Sequence, residues 1–221
     1  MLRKFRPAIV AGLAYCLAAP PSGAQVIDPQ GDWYSPNVAT HRPDLDVRTA
    51  DGIYADGAGW RVTATMDGPI DPTQQAAYVW GFGRGSTAAV APFPGEPNVK
   101  FDSVLSYNTH DGTASVRLFD TSVVNVLTPD LFGFSGSTVT AIIPSAFLPT
   151  VPGGFDDDEF TWNLWPRIPG GPATNISDFA PDNAMVKFIT VPAGAIPEPG
   201  TMALLASAVP LALLGSIRRR A

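Results

Sequence analysis

The side chains able to do chemistry in this sequence are few and scattered. Only two histidines occur, His41 in "ATHRPD" and His110 in "NTHDG", and each reads as a surface loop or turn residue. Ser135 lies in "GFSGS", where a glycine directly follows the serine, so the G-x-S-x-G elbow that would present a nucleophile is not formed. The densest acidic run is "FDDDEF", with Asp156, Asp157, Asp158 and Glu159 ahead of a strand pattern containing Trp162. Carboxylates on a loop are hard oxygen ligands that suit Ca²⁺, although EF-hand spacing and its central glycine are missing. A solvated acidic loop that keeps the neighbouring apolar strand soluble fits this run better. Otherwise no cofactor is expected, because no glycine-rich phosphate loop follows a strand. Acid–base catalysis by two carboxylates is set by distance in the fold and not by local sequence. Two acids facing each other roughly 5–10 Å apart in a cleft would favour it.

Five tryptophans, Trp33, Trp60, Trp80, Trp162 and Trp165, offer a different chemistry. Exposed rings stack on the apolar faces of sugars while nearby polar groups take the hydroxyls. Trp162 and Trp165 have opposite parity on a strand, so one can face the core and the other solvent. Trp33 and Trp165 are therefore the candidate glycan contacts, and the remaining tryptophans read as core. Charge narrows the partners. Between Gln25 and Ile196 stand 8 Lys and Arg against 19 Asp and Glu, a net of −11, which repels phosphate backbones and argues against nucleic acid.

The elements that must position these residues are strands. "GWRVTATMDG" alternates Trp60, Val62, Ala64 and Met66 with Arg61, Thr63 and Thr65, the pattern of a half-buried strand. "AAYVWGFG", "VKFDSVLSYN", "TASVRLFD", "TVTAIIP", "FTWNLWPR" and "AMVKFITV" add further strands, while "PSAFLPTVPGGFDDDEF" reads as one long loop. Turn signals stand at Asp51-Gly52, Asp56-Gly57, Asp67-Gly68 and Asp111-Gly112, the last closing a hairpin through positive φ angles. About eight to ten strands in roughly 170 residues predict an all-β fold, an antiparallel β-sandwich or jelly roll.

Both ends of the 221-residue chain differ from this body. Residues 1–24 have a basic opening (Arg3, Lys4, Arg6), an apolar stretch, and small residues before Gln25. This is the layout of a secretory signal peptide, used by the Sec translocon and cut by signal peptidase between Ala24 and Gln25. The only cysteine, Cys16, leaves with it, so the mature body has no disulfide or thiol chemistry. At the other end, residues 200–217 are apolar and close to the ~20 residues of a membrane-spanning helix. Arg218, Arg219 and Arg220 follow as a cytoplasmic basic stop, which leaves the body outside.

Pro197-Glu198-Pro199-Gly200, the apolar run and the terminal arginines together resemble the PEP-CTERM sorting signal of Gram-negative bacteria, over residues 195–221. Met202 departs from it, standing where that signal often has an aromatic residue. The resemblance implies recognition by an exosortase, a membrane-embedded transpeptidase-like enzyme, and processing near the PEP motif. It also implies an inner-membrane intermediate that passes to the cell envelope surface or the extracellular matrix. Within the body, residues 25–194, the segments "RPDLDVRTADGIYADGAGWRVTATM", "VTAIIPSAFLP" and "NISDFAPDNAMVKF" resemble DOMON-like and carbohydrate-binding β-sandwich domains. That implies ligand binding on a sheet face or in loops, with no ligand residue assigned. The expectation is an exported, non-enzymatic surface protein that binds or organises exopolysaccharide. A secreted polysaccharide-acting hydrolase and an inert structural surface protein are the alternatives.

Overall fold

The alternation in residues 59–66 shows how the fold is laid down. In the computed structural model, which describes residues 26–170 and 175–193, they form strand β3 (Gly59–Met66), with Trp60, Val62, Ala64 and Met66 buried on one face. The opposite face carries Thr63 and Thr65, whose hydroxyls meet Thr140 and Thr138 on β9 (Thr138–Pro144) at 3.5 and 3.1 Å. This outward threonine ladder is what a sheet with one solvated face requires.

Two six-stranded sheets result. In the first, β2 (Val47–Ala55) pairs with β3, β3 with β9, and β9 with β8 (Phe132–Ser135). The other edge of β2 is shared by β1 (Val26–Ile27) and β12 (Ile189–Val191), and β12 runs parallel to it. The second sheet has the order β11 (Val186–Lys187), β10 (Thr161–Arg167), β4 (Ala77–Gly83), β5 (Ser103–Asn108), β6 (Thr113–Leu118) and β7 (Val124–Val126). Its pairings are all antiparallel.

The sheets pack over one aromatic core. Trp60 of the first sheet stacks on Phe160 with centroids 5.3 Å apart, and Phe188 touches Trp60, Phe82 and Trp162. Trp60, Trp80 and Trp162 have no exposed surface. The all-β expectation thus holds, with sheets antiparallel except where β12 joins β2.

Several local expectations are corrected. Asp51-Gly52 is no turn but the middle of β2; Gly52 is glycine because a Cβ there would fall on the Trp162 indole from the facing sheet. "AMVKFITV" is not one strand: the chain changes sheets at Phe188, with β11 in one and β12 in the other. In the β5–β6 hairpin only Gly112, at φ 61°, takes up positive φ, because the loop spans residues 109–112 and is longer than a two-residue turn. Twelve strands, counting four of two or three residues, occur among the described residues, more than expected. The signal peptide, the PEP-CTERM segment with its membrane helix, and Arg218, Arg219 and Arg220 lie outside the described residues. No described helix is long and apolar enough to cross a membrane.

Candidate functional site

The outer face of the second sheet is not open to solvent. Even-parity side chains of β10 point inward, so Trp165 points outward as its parity requires, but it is only 3% exposed. Phe93, Phe101 and Phe179 cover it, with ring centroids at 5.2, 4.8 and 6.1 Å. This corrects the expectation of an exposed Trp165: the long connection between β4 and β5 and the segment before β11 fold back and build a second, smaller core there. Between these covers and the sheet, a groove of about 490 Å³ remains, lined by Val79, Phe93, Val104, Ser106, Trp165 and Arg167 among others.

Trp33 is half-buried and stacks on His41, with centroids 4.9 Å apart and planes 13° from parallel. His41 is held through Nε2 to the Ser35 carbonyl at 2.8 Å, and exposed His110 through Nδ1 to the Pro72 carbonyl at 3.2 Å. Ser135 is exposed on β8. The structure does not gather these three into a catalytic set.

Asp157, Asp158 and Glu159 form a single 3-10 turn preceded by Asp156. Tyr54 donates weakly to Asp157 at 3.4 Å, and Glu159 pairs with Lys187 at 3.6 Å on the surface. Asp156, Asp157 and Asp158 line a shallow groove with Tyr54 and Asp56. Their oxygens are not among those close enough in threes to share an ion.

The carboxylates that do converge come from four separate places. Asp28 follows β1, Asp32 lies four residues on, Asp46 immediately precedes β2, and before β11 Asp178 precedes and Asp182 lies in a turn. Asp28, Asp32 and Asp182 place oxygens within 4.8 Å of one another, and so do Asp32, Asp46 and Asp178, with Asp32 common to both groups. Backbone amides fix this basin. The Gly31 amide donates to Asp46 Oδ2 at 3.0 Å, the Val47 amide to Asp178 Oδ2 at 2.8 Å, and the Phe179 amide to Asp178 Oδ1 at 2.8 Å. Around it, the Tyr34 amide donates to the Ser177 carbonyl and the Ser177 hydroxyl to the Thr40 carbonyl, at 2.9 and 2.7 Å. The basin therefore clamps the first described segment to the late loop, and opens to solvent at half-buried Asp32 and exposed Asp182.

Its electrostatics are costly. Burial, with the charges of Asp178, Asp32 and Asp182, pushes the Asp28 carboxyl up to about 9. Burial raises Asp178 to about 7, against the pull of the Val47 amide, and raises Asp46 and Asp182 as well. Arg48, 4.0 Å from Asp67, offsets part of the charge at Asp46. None of these five aspartates stood out as a ligand in the sequence. Each is a single acid in an ordinary loop, and only the fold brings position 28 to position 182.

No protein-family model and no curated protein matches this chain.

Proposed function

We propose that this chain is an exported, non-enzymatic protein of the cell surface or extracellular matrix that binds or organises exopolysaccharide after exosortase-dependent sorting. The observation that carries the glycan reading is the groove on the outer face of the second sheet. It is lined by Val79, Val104, Phe93 and the small exposed part of Trp165, and its polar groups include Ser106 and Arg167. A largely apolar groove with a few polar groups suits a sugar, which presents apolar faces and peripheral hydroxyls. Its volume, about 490 Å³, is within the ordinary range for a small-ligand site. Half-exposed Trp33 offers a second ring surface.

Export is supported by the sequence of both ends. The described sheets begin at Val26, so cleavage between Ala24 and Gln25 removes no strand from them. The PEP-CTERM-like tail, residues 195–221, begins four residues after β12 ends at Val191, so processing near the PEP motif removes no described strand. A non-enzymatic role is favoured because Asp28, Asp46 and Asp178 of the aspartate basin are 3%, 2% and 1% exposed, with Asp178 tied to two backbone amides. A polysaccharide chain does not reach carboxyls so enclosed.

The test is co-sedimentation of the full chain with the producing cells' own exopolysaccharide, followed by sizing of the glycan. Saturable retention with glycan length unchanged is the expected result. No retention overturns the binding reading and leaves a structural surface protein; shortened glycan would make the protein a hydrolase.

A further inference from the structure

The aspartate basin invites a ligand that the sheet-face groove does not involve. Two oxygens bound to one Ca²⁺ at about 2.4 Å can stand no more than about 4.8 Å apart, and both carboxylate triads meet that limit. Proximity alone would say little, since acids cluster on many surfaces. A second observation points to a ligand: Asp28 is only 3% exposed, and its Oδ2 has no hydrogen-bond partner among the described residues. Its carboxylate faces that of Asp178, itself 1% exposed, inside the basin. Oδ1 of Asp32, the residue shared by the two triads, is likewise buried without a partner. A buried acceptor without a donor is costly, the more so when charged, so such atoms in one basin call for a common positive partner.

From this geometry we propose that Asp28, Asp32, Asp46, Asp178 and Asp182 form a Ca²⁺ site that staples the segment between β1 and β2 to the loop before β11. The chemistry of the donors selects the ion. All are carboxylate oxygens, with no imidazole or thiolate in either triad, which suits a hard cation. Five protein carboxylates on one basin suit Ca²⁺ better than Mg²⁺, which keeps its waters and takes one or two carboxylates. The backbone amides on Asp46 and Asp178 hold those carboxylates in place in advance, as supporting bonds around a metal do. Asp182, exposed at the mouth, gives the ion its way in. The site differs from Asp156–Glu159, and it stands whether or not the sheet-face groove binds glycan.

The experiment uses the full chain in mild detergent, stripped with a chelator and titrated with CaCl₂ by calorimetry, with thermal unfolding run alongside. The expected result is saturable binding of one or two equivalents with a dissociation constant at or below about 10⁻³ M. Melting should rise by roughly 5–10 °C at a hundredfold excess over that constant. Asp28→Asn and Asp32→Asn should weaken binding at least about tenfold, yet melt no lower than the parent in chelator, because the first replaces a carboxyl that burial already holds towards its neutral form and the second removes a charge that repels Asp28 and Asp178. Asp182→Asn, on the rim, keeps the test readable if a buried variant does not fold, and should also weaken binding. Asp156→Asn/Asp158→Asn should bind as the parent does. No binding and no melting shift at 10 mM Ca²⁺ overturns the proposal. So does binding that survives Asp28→Asn, Asp32→Asn and Asp182→Asn but is lost in Asp156→Asn/Asp158→Asn.

Discussion

Replacing Asp102 by alanine removes the anion from an ion pair with no exposed surface, and the cost can be worked from its contacts. Arg84 follows β4 and Asp102 precedes β5, so the pair closes the mouth of that long connection. Asp102 accepts from Arg84 Nε at 2.7 Å, the Arg84 amide at 2.9 Å, the Ser86 amide at 3.0 Å and the Ser103 hydroxyl at 3.2 Å. Arg84 Nη1 donates to the Pro149 carbonyl at 2.9 Å, and Nη2 lies 3.0 Å from Asp120 without hydrogen-bonding geometry. Alanine leaves a buried guanidinium with only Asp120 as counter-charge and two amides without acceptors. Breaking a buried pair from one side costs about 3–5 kcal/mol. For a body of this size that lowers the melting temperature by roughly 6–20 °C. Asp102→Asn keeps the shape and one acceptor oxygen, and should cost about 1.5–3 kcal/mol. Asp120→Ala, at a side chain 24% exposed, should cost about 1 kcal/mol or less. Urea unfolding followed by fluorescence of the buried tryptophans gives all three values. A loss below about 1 kcal/mol for Asp102→Ala would refute the reasoning, because the pair would then contribute no more than a surface one.

Gly52→Ala should destabilise by about 1–3 kcal/mol through overpacking against Trp162, and shift its near-UV circular dichroism. If the melting point is unchanged, the close approach of the two sheets there is wrong. Val104→Gln fills the sheet-face groove from a half-buried position and should cut exopolysaccharide retention at least about tenfold while leaving the melting point within a few degrees; unchanged retention would move the glycan elsewhere. Alkaline titration gives a third check. Burial pushes the Tyr54 hydroxyl up to about 12 and raises Tyr78 and Tyr107 as well. The neutral form of Tyr54 therefore contributes stability that is complete below about pH 10 and lost as pH rises through about 12, and Tyr78 and Tyr107 act in the same direction. Phenolate absorbance should lag for these three until the protein unfolds, and full tyrosine ionisation in the folded state near pH 10 would contradict their burial.

Alternation made β3, β9 and β10 legible because each has one face on the core and one on solvent or a second cluster. β2 escaped for a physical reason: Asp51-Gly52 has turn composition, but the glycine answers to an indole in the other sheet, which no local window contains. β1, β7 and β11 are two or three residues long, too short for a period, and are held by pairing alone. The parity of Trp165 was readable, yet its cover was not, because Phe93 arrives from the distant β4–β5 connection and Phe179 from a loop after β10 that has no strand or helix period of its own. The same holds for the aspartate basin. The dense run at 156–159 drew attention by local count, whereas Asp28 and Asp178 stand 150 residues apart and gain their meaning from burial.

The claim beneath the functional account is that this body works outside the cell, on the matrix. The most direct measurement is the intact mass of the protein recovered from the exopolysaccharide fraction of the producing cells. A mature chain beginning at Gln25 and ending near Pro199, enriched with the glycan, is the predicted result. A chain that still begins at Met1 and ends at Ala221, found with the cytoplasm and not with the glycan, would contradict it.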